Sequence, residues 1–276
     1  MKTITEELEK LEIELLLEGI YRYYGLDFRH YSYPTIRRRV IHRVQAERLS
    51  SISGLLEKVL HDPRIIDKLF NDFSITVTGV YRDPEFFKSF RDNVVPVLRE
   101  SPSIRLWHAG CATGEEVYSM AILLYEAGLY AKTRIYATDM NERSLARAKT
   151  ATFPLESMQL YSRNYFRAGG QSSLSEYYAA GHDTVTFHPL ITKNIVFAQH
   201  NLVTDHSFNE FNAIICRNVL IYFDQTLQKR VCRLFYDSLT KPGFLGLGSK
   251  ESLQRTGIVD KFDVVDSANR LYIKVG

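Results

Sequence analysis

What this chain has little of narrows it first. Its 276 residues include three cysteines, Cys111, Cys216 and Cys232, with no close pair among them. So sparse and odd a set makes neither a disulfide framework nor a zinc site. Three reduced, largely buried thiols are expected, and no metal. Net charge is also nearly absent: 35 Lys and Arg against 32 Asp and Glu leave +3, which singles out no partner. No stretch approaches the ~20 apolar residues of a membrane span. The acidic opening MKTITEELEKLEIELLLEGI lacks the basic start of a signal peptide. A cytoplasmic protein without membrane insertion is the expectation. There is no internal repeat and no low-complexity tract. What is present is ordinary globular material, 45% hydrophobic and 24% charged. That is enough for a core, in one large or two modest domains.

Two regions read differently. Residues 1–93 carry helical patterns and no strand. Leu8, Leu11, Leu15 and Ile20 fall at spacings that keep one helix face apolar. A second helix is predicted after Pro34 in TIRRRVIHRVQAERL, a third in SISGLLEKVL and a fourth in RIIDKLFNDF. Residues 94–276 alternate instead. Short β-branched runs, IRLWHAG, TRIYATDM, NIVFAQHNL, FNAIICRN and GFLGLGS, are separated by helical stretches EEVYSMAILLYEAG, ERSLARAKTA and QTLQKRVCRLFYDSL. That alternation predicts an α/β sheet, mostly parallel. The closing DVVDSANRLYIKV reads as two more strands, the last antiparallel beside the edge. Residues 153–193 break the rhythm. SLSEYYAA and TVTFHPLI, joined by a turn at Gly181-His182-Asp183, read as a small antiparallel insert at about 165–193.

Four places carry polar residues where ligands bind. The first strand ends in HAGCATGEE, with Gly110 and Gly114 before a helix that opens on Glu115 and Glu116. In open α/β sheets ligands sit at such a turn, where glycine lets backbone approach closely. Two glutamates there would repel a phosphate and tolerate a cationic sulfonium with an amino-acid tail. The pattern therefore favours S-adenosylmethionine over a dinucleotide. Asp139 ends the second strand, where a carboxylate suits ribose hydroxyls; it also reads as a simple helix cap. Arg217 and Asn218 interrupt an apolar run just past the fourth strand, and burying them without partners would be costly. Thr76, Thr78 and Arg82 precede a helix starting near Asp83-Pro84, where a solvated, capped helix start is the alternative reading.

In this order, TVTGVYRDPEFF, HAGCATGEEVYSMA, ATDMNERSLARA, AQHNLV and IICRNVLIYFD resemble the CheR family of chemotaxis-receptor methyltransferases over nearly the whole chain. The resemblance implies a helical N-terminal domain on a Rossmann-like class I methyltransferase domain with a small β insert. It implies S-adenosylmethionine as cofactor, S-adenosylhomocysteine as product, and methyl esters on protein glutamates as the modification. It implies a pocket lined by Thr76, Thr78, Arg82, Glu116, Asp139, Asn201, Leu202, Arg217 and Asn218, with Tyr222 near the transferred methyl. Arg82 and Tyr222 are the catalytic candidates. Arg37, Arg38, Arg39 and Arg43 of the second helix resemble the surface that meets acidic receptor helices. Three departures stand out: Thr76 where Asn is common, Val80-Tyr81 for Phe-Phe, and His108 for a small Ser. The expected partner is a chemoreceptor or other signalling protein with Glu-rich helices, and a monomer is expected. Two rivals remain at this stage. A nucleic-acid methyltransferase would place the basic helix on phosphates, against a nearly balanced charge and with no nucleic acid otherwise expected. A regulatory module would bind the cofactor without turnover.

Overall fold

The computed structural model describes residues 4–74 and 77–275. Helix α1 (Ile4–Tyr24) buries Ile13, Leu16, Leu17 and Ile20, a continuous stripe at helical spacing. Leu8, Leu11 and Leu15 are 51–55% exposed. The expectation that they share the buried face with Ile20 is thus corrected. They form a second stripe on the opposite side, and the denser stripe won the core. At Gly19 the approach to the third helix is close enough that a Cβ would lie 2.9 Å from Leu56 Cδ1. Helices α2 (Tyr33–Ala46), α3 (Ile52–His61) and α4 (Pro63–Phe73) begin where their caps dictate. Pro34 sits in the first turn of α2. Ser51 Oγ accepts from Gly54 N at 3.0 Å, and Asp62 Oδ1 from Arg64 N at 3.1 Å. Phe28 stacks edge-on against Tyr31 and Phe73 at the centre of this unit.

The chain separates into two units, and the break falls at residues 75–76, not near 93. The helical unit also takes in Ile221–Gln228. There Tyr31 bridges Phe223, and Ser32 donates its N–H to Tyr222 O at 2.7 Å. Helices α5 (Pro84–Asn93) and α6 (Val95–Arg99) belong to the second unit. They add Phe86, Phe87, Phe90, Val94 and Leu98 to its core, a purpose that helical periodicity alone does not reveal.

The second unit runs β1 (Ile104–Ala109), α7 (Glu115–Glu126), β2 (Thr133–Asp139), α8 (Glu142–Lys149), β3 (Thr152–Pro154), α9 (Met158–Arg167), β4 (Tyr178–Ala180), β5 (Thr184–Phe187), α10 (Pro189–Thr192), β6 (Ile195–Gln199) and β7 (Phe211–Cys216). It closes with α11 (Gln225–Ser238), of which Gln225–Gln228 is counted with the helical unit, then β8 (Leu239–Leu247), β9 (Phe262–Asp266) and β10 (Leu271–Lys274). The main sheet has seven strands in the order β6-β2-β1-β7-β8-β10-β9. Pairing is parallel from β6 through β8, and β10 lies antiparallel between β8 and β9. The last strand is therefore antiparallel and next to the edge strand, as its sequence suggested. This is the mostly parallel α/β sheet that the strand–helix alternation predicts. The insert is a second, three-stranded antiparallel sheet, β3-β5-β4. Its turn is where the glycine placed it, with Gly181 donating to Thr184 O at 2.7 Å. Its first strand comes from residues 152–154, upstream of the expected 165–193. Among the described residues no helix is long and apolar enough to cross a membrane.

Candidate cofactor and methyl-transfer site

The sheet register sets the site. His108 lies beside Ala137 on one side and Ile215 on the other, and Asp139 beside Gln199. The carboxyl ends of β6, β2, β1 and β7 thus open along one edge. The chain leaves β1 toward β2 and returns on the other side at β7, which marks the crevice where open α/β sheets take ligands.

Gly110 turns the chain out of β1 at φ +78°, and a Cβ there would lie 2.5 Å from Val219 Cγ2. Any other residue would collide with Val219 and strain the turn. Gly110 N and Cys111 N both donate to Thr138 O, at 2.8 and 2.9 Å. Ala112, at φ +49°, donates its N–H to Asp139 Oδ2 at 2.9 Å, while Asn141 N donates to Oδ1 at 2.9 Å. Asp139 therefore builds the glycine turn from the neighbouring strand. With the Met140 N–H as a third donor, its two oxygens keep lone-pair capacity for one more. Burial pushes its carboxyl above the ordinary value, against the pull of the Asn141, Ala112 and Met140 N–H groups. His200 N donates to Asp139 O at 3.2 Å, which brings the next residues to the same edge. Of these, Asn201 Oδ1 caps its own turn through Val203 N at 3.0 Å, and Leu202 is buried.

Past β7, Arg217 is a hub. Its side chain is 2% exposed. One nitrogen donates to Glu116 Oε2 at 2.7 Å and to Arg82 O at 3.3 Å; the other donates to Asp83 Oδ2 at 2.6 Å. Its guanidinium lies 4.3 Å over the Phe86 ring, and Nε has no partner among the described residues. Glu116 also faces His108 Nδ1 at 3.4 Å. Burial raises its carboxyl, but the Arg217 and His108 side chains outweigh that and leave it below its ordinary value. The preceding Glu115 is buried against Thr113 Oγ1 at 2.7 Å and is pushed up by burial. Of the two glutamates that open α7, Glu116 is thus the one whose ionised form its neighbours favour.

The same hub shapes the turn that presents Arg82. Tyr81 and Asp83 both adopt left-handed backbone, at φ +50° and +55°. For non-glycine residues this stores strain on the order of 1–3 kcal/mol each. Ser119 Oγ accepts from Tyr81 N at 2.7 Å, Gly79 O accepts from Arg82 N at 3.1 Å, and Arg217 holds Asp83. Arg82 itself is half-buried and donates one nitrogen to Val77 O at 2.8 Å, across Thr78. Thr76 lies outside the described residues.

Sequence reasoning passed over two residues here. Glu251 is buried and accepts three backbone N–H groups, from Gly248 at 2.5 Å, Asn218 at 3.0 Å and Val219 at 2.8 Å. It ties the loop after β8 to the loop after β7, where Asn218 sits at φ +61°. The signal was available as an acidic residue four places beyond an apolar strand. Asp83 was read only as a helix start.

The second catalytic candidate is Tyr222. It stands four residues beyond Asn218, on the segment counted with the helical unit. The four docking candidates are also on that unit and differ among themselves. Arg37 forms a two-pronged pair with Glu9, at 2.5 and 2.9 Å. Arg43 is held by Asp72, at 2.8 and 2.9 Å, and by Glu47 at 3.2 Å. Arg39 is half-buried with its Nε unpartnered, and Arg38 is exposed with no ion pair among the described residues. Among the described residues no group of three His, Cys, Asp or Glu side chains is placed to hold a metal.

The CheR methyltransferase SAM-binding domain matches residues 76–271, and the CheR methyltransferase all-alpha domain matches residues 11–74. The chain is 45% identical over 270 residues to Cher3 of Pseudomonas putida, covering 98% of this chain and 99% of that one. It is 29% identical over 231 residues to a chemotaxis protein methyltransferase of Listeria innocua, covering 83% and 85%. An uncharacterized 104.1 kDa protein of Rhodobacter capsulatus is 30% identical over 255 residues, covering 90% of this chain and 26% of that protein.

Proposed function

We propose that this chain, which belongs to the CheR methyltransferase family and is therefore an S-adenosylmethionine-dependent methyltransferase, esterifies glutamate side chains of a chemoreceptor or related signalling protein. The observation that carries the carboxylate acceptor is the Arg82 turn. An arginine is held between two left-handed residues, with only Val77 O as a partner for its side chain among the described residues. Its remaining donors suit a carboxylate, which a guanidinium can meet with two parallel hydrogen bonds.

The residues of the edge fit the cofactor. At the glycine turn the backbone carries no side chain, Asp139 has lone-pair capacity left for a ribose hydroxyl, and the Arg217 and His108 side chains favour an ionised Glu116 that can meet an ammonium. Thr76, Thr78, Asn201, Leu202, Arg217 and Asn218 complete the proposed pocket. Bound S-adenosylmethionine supplies a methyl group activated by its sulfonium. The acceptor needs no general base, since a glutamate with its ordinary pKa of ~4.3 is already ionised at neutral pH. The work left to the chain is to position the acceptor oxygen and exclude water. Arg82 orients the acceptor carboxylate, and Tyr222 shapes the surroundings of the methyl. Cys111, beside the turn, is no rival nucleophile, because burial pushes its thiol well above its ordinary value.

On the helical unit, Arg38 and Arg39 are the docking residues with charge to offer an acidic helix. Arg37 and Arg43 contribute through pairs they already make. A cytoplasmic monomer completes the reading. The test is to incubate the chain with methyl-labelled cofactor and a Glu-rich receptor fragment, then map the methylated residues by mass spectrometry. Label on glutamate supports the reading, and label confined to lysine, arginine or nucleic acid rejects it.

A further inference from the structure

The exposed stripe of α1 is unused by any step above. Leu8, Leu11 and Leu15 repeat at intervals of three and four, the a-d-a spacing of a coiled-coil seam. They are 55%, 51% and 51% exposed, on the side of the helix opposite Ile13, Leu16 and Ile20. In that register Glu7 and Glu14 occupy g positions and Glu12 the e position, so the seam is edged on both sides by acid. Glu7 and Glu14 are exposed. Glu12 is half-buried, with Oε1 accepting from Ser53 N at 3.0 Å and from Ser53 Oγ at 2.6 Å. Lys10 lies 3.6 Å from Glu14, an exposed contact of small worth. The seam ends at Glu18, which takes Arg22 and Arg29.

We propose that this face of α1 docks a basic amphipathic helix: a short partner segment with leucine-like residues at a and d, and lysine or arginine at e and g. Edge charge selects the occupant. A second copy of the chain would set glutamate against glutamate in either orientation, since parallel pairing opposes g to e and antiparallel pairing opposes g to g. An anionic membrane surface meets the same repulsion. So does a Glu-rich acceptor helix, which makes this surface separate from acceptor docking. The site is therefore one for recruitment, working alongside methyl transfer.

The test uses the full chain and two labelled synthetic helices of about three heptads, both with Leu at a and d, one with Lys and one with Glu at e and g. Fluorescence anisotropy should show the Lys peptide binding at least about ten-fold more tightly than the Glu peptide, with the difference shrinking as salt rises. Glu7→Lys with Glu14→Lys should reverse the preference. Leu11→Glu should abolish binding while circular dichroism and thermal midpoint stay unchanged. Three results would overturn the proposal. The first is equal binding of the two peptides, and the second is binding that survives Leu11→Glu. The third is self-association or anionic-vesicle binding that Leu11→Glu removes, which would give the seam to another occupant.

Discussion

Two arginines, one in each unit, are both gripped by a pair of carboxylates, and they do different things. Arg43 pairs with Asp72 and Glu47 at 13% exposure, and Glu47 in turn takes Lys58 and Lys68. All its partners come from α2, α4 and their neighbours, so the network braces a helical bundle. Arg217 pairs with Glu116 and Asp83 at 2% exposure, and its partners lie on a strained turn and at the first turn of a helix facing the crevice. A brace can be loosened with loss of stability alone. If Arg82 and Glu116 act as proposed, a hub that positions the one and favours the ionised form of the other is not loosened without changing the chemistry. Positive charge in a sequence therefore says little about docking until its partners are known.

The sharpest way to break this contrast is Arg82→Ala. Misplacing the acceptor by about an ångström costs ~10²-fold, so turnover should fall by that order while cofactor affinity, read by calorimetry, holds. A parallel loss of cofactor affinity would make Arg82 a cofactor residue only. Asp139→Ala comes next. Losing hydrogen bonds to a charged group costs ~1.5–3 kcal/mol each, and the variant also frees Ala112 N. Cofactor affinity should drop about ten- to a hundred-fold, and unchanged affinity would sink the ribose assignment. Asp83→Asn should lower turnover several-fold, because it slackens the Arg82 turn without touching the cofactor edge. If only the melting temperature moves, Arg217 is a brace after all.

In the helical unit the effects are smaller and of another kind. Arg43→Gln should reduce the melting temperature and leave transfer per folded molecule unaltered, whereas Arg38→Glu should raise the KM for acceptor protein and leave stability alone. Glu47 also carries a pH signature. The Lys58 and Lys68 ammonium groups, against the opposing effect of burial and with help from Arg43, pull its carboxyl from 4.5 to about 2. A carboxyl depressed on folding stabilises above its unfolded value and loses that contribution as pH falls. Stability should thus decline between about pH 4.5 and 2. Glu47→Gln should flatten that part of the denaturation profile, and an unchanged slope there would remove Glu47 from the brace.

What could be read from the residues was local. Strands β1, β2, β6 and β7 show as β-branched runs, Gly110 as a turn needing left-handed backbone, and Asp139 as a carboxylate at a strand tip. What could not be read depends on partners far along the chain. Arg217 meets Asp83 across 134 positions, and Glu251 meets Asn218 across 33. Periodicity carries no trace of such pairs. Helix α5 misled for a related reason: Phe86, Phe87 and Phe90 announce an apolar face but not which core it enters. In α1 the pattern held two apolar faces, and leucine spacing could not say which one the bundle would bury.

On the proposed function, the transferred methyl ends as an ester on a carboxylate. The most direct measurement is the base lability of labelled protein after reaction with methyl-labelled S-adenosylmethionine and receptor-containing membranes. The label should leave as volatile methanol under mild alkali, and Arg82→Ala should lower its amount by ~10²-fold. Label that stays on protein or nucleic acid through that treatment would contradict it.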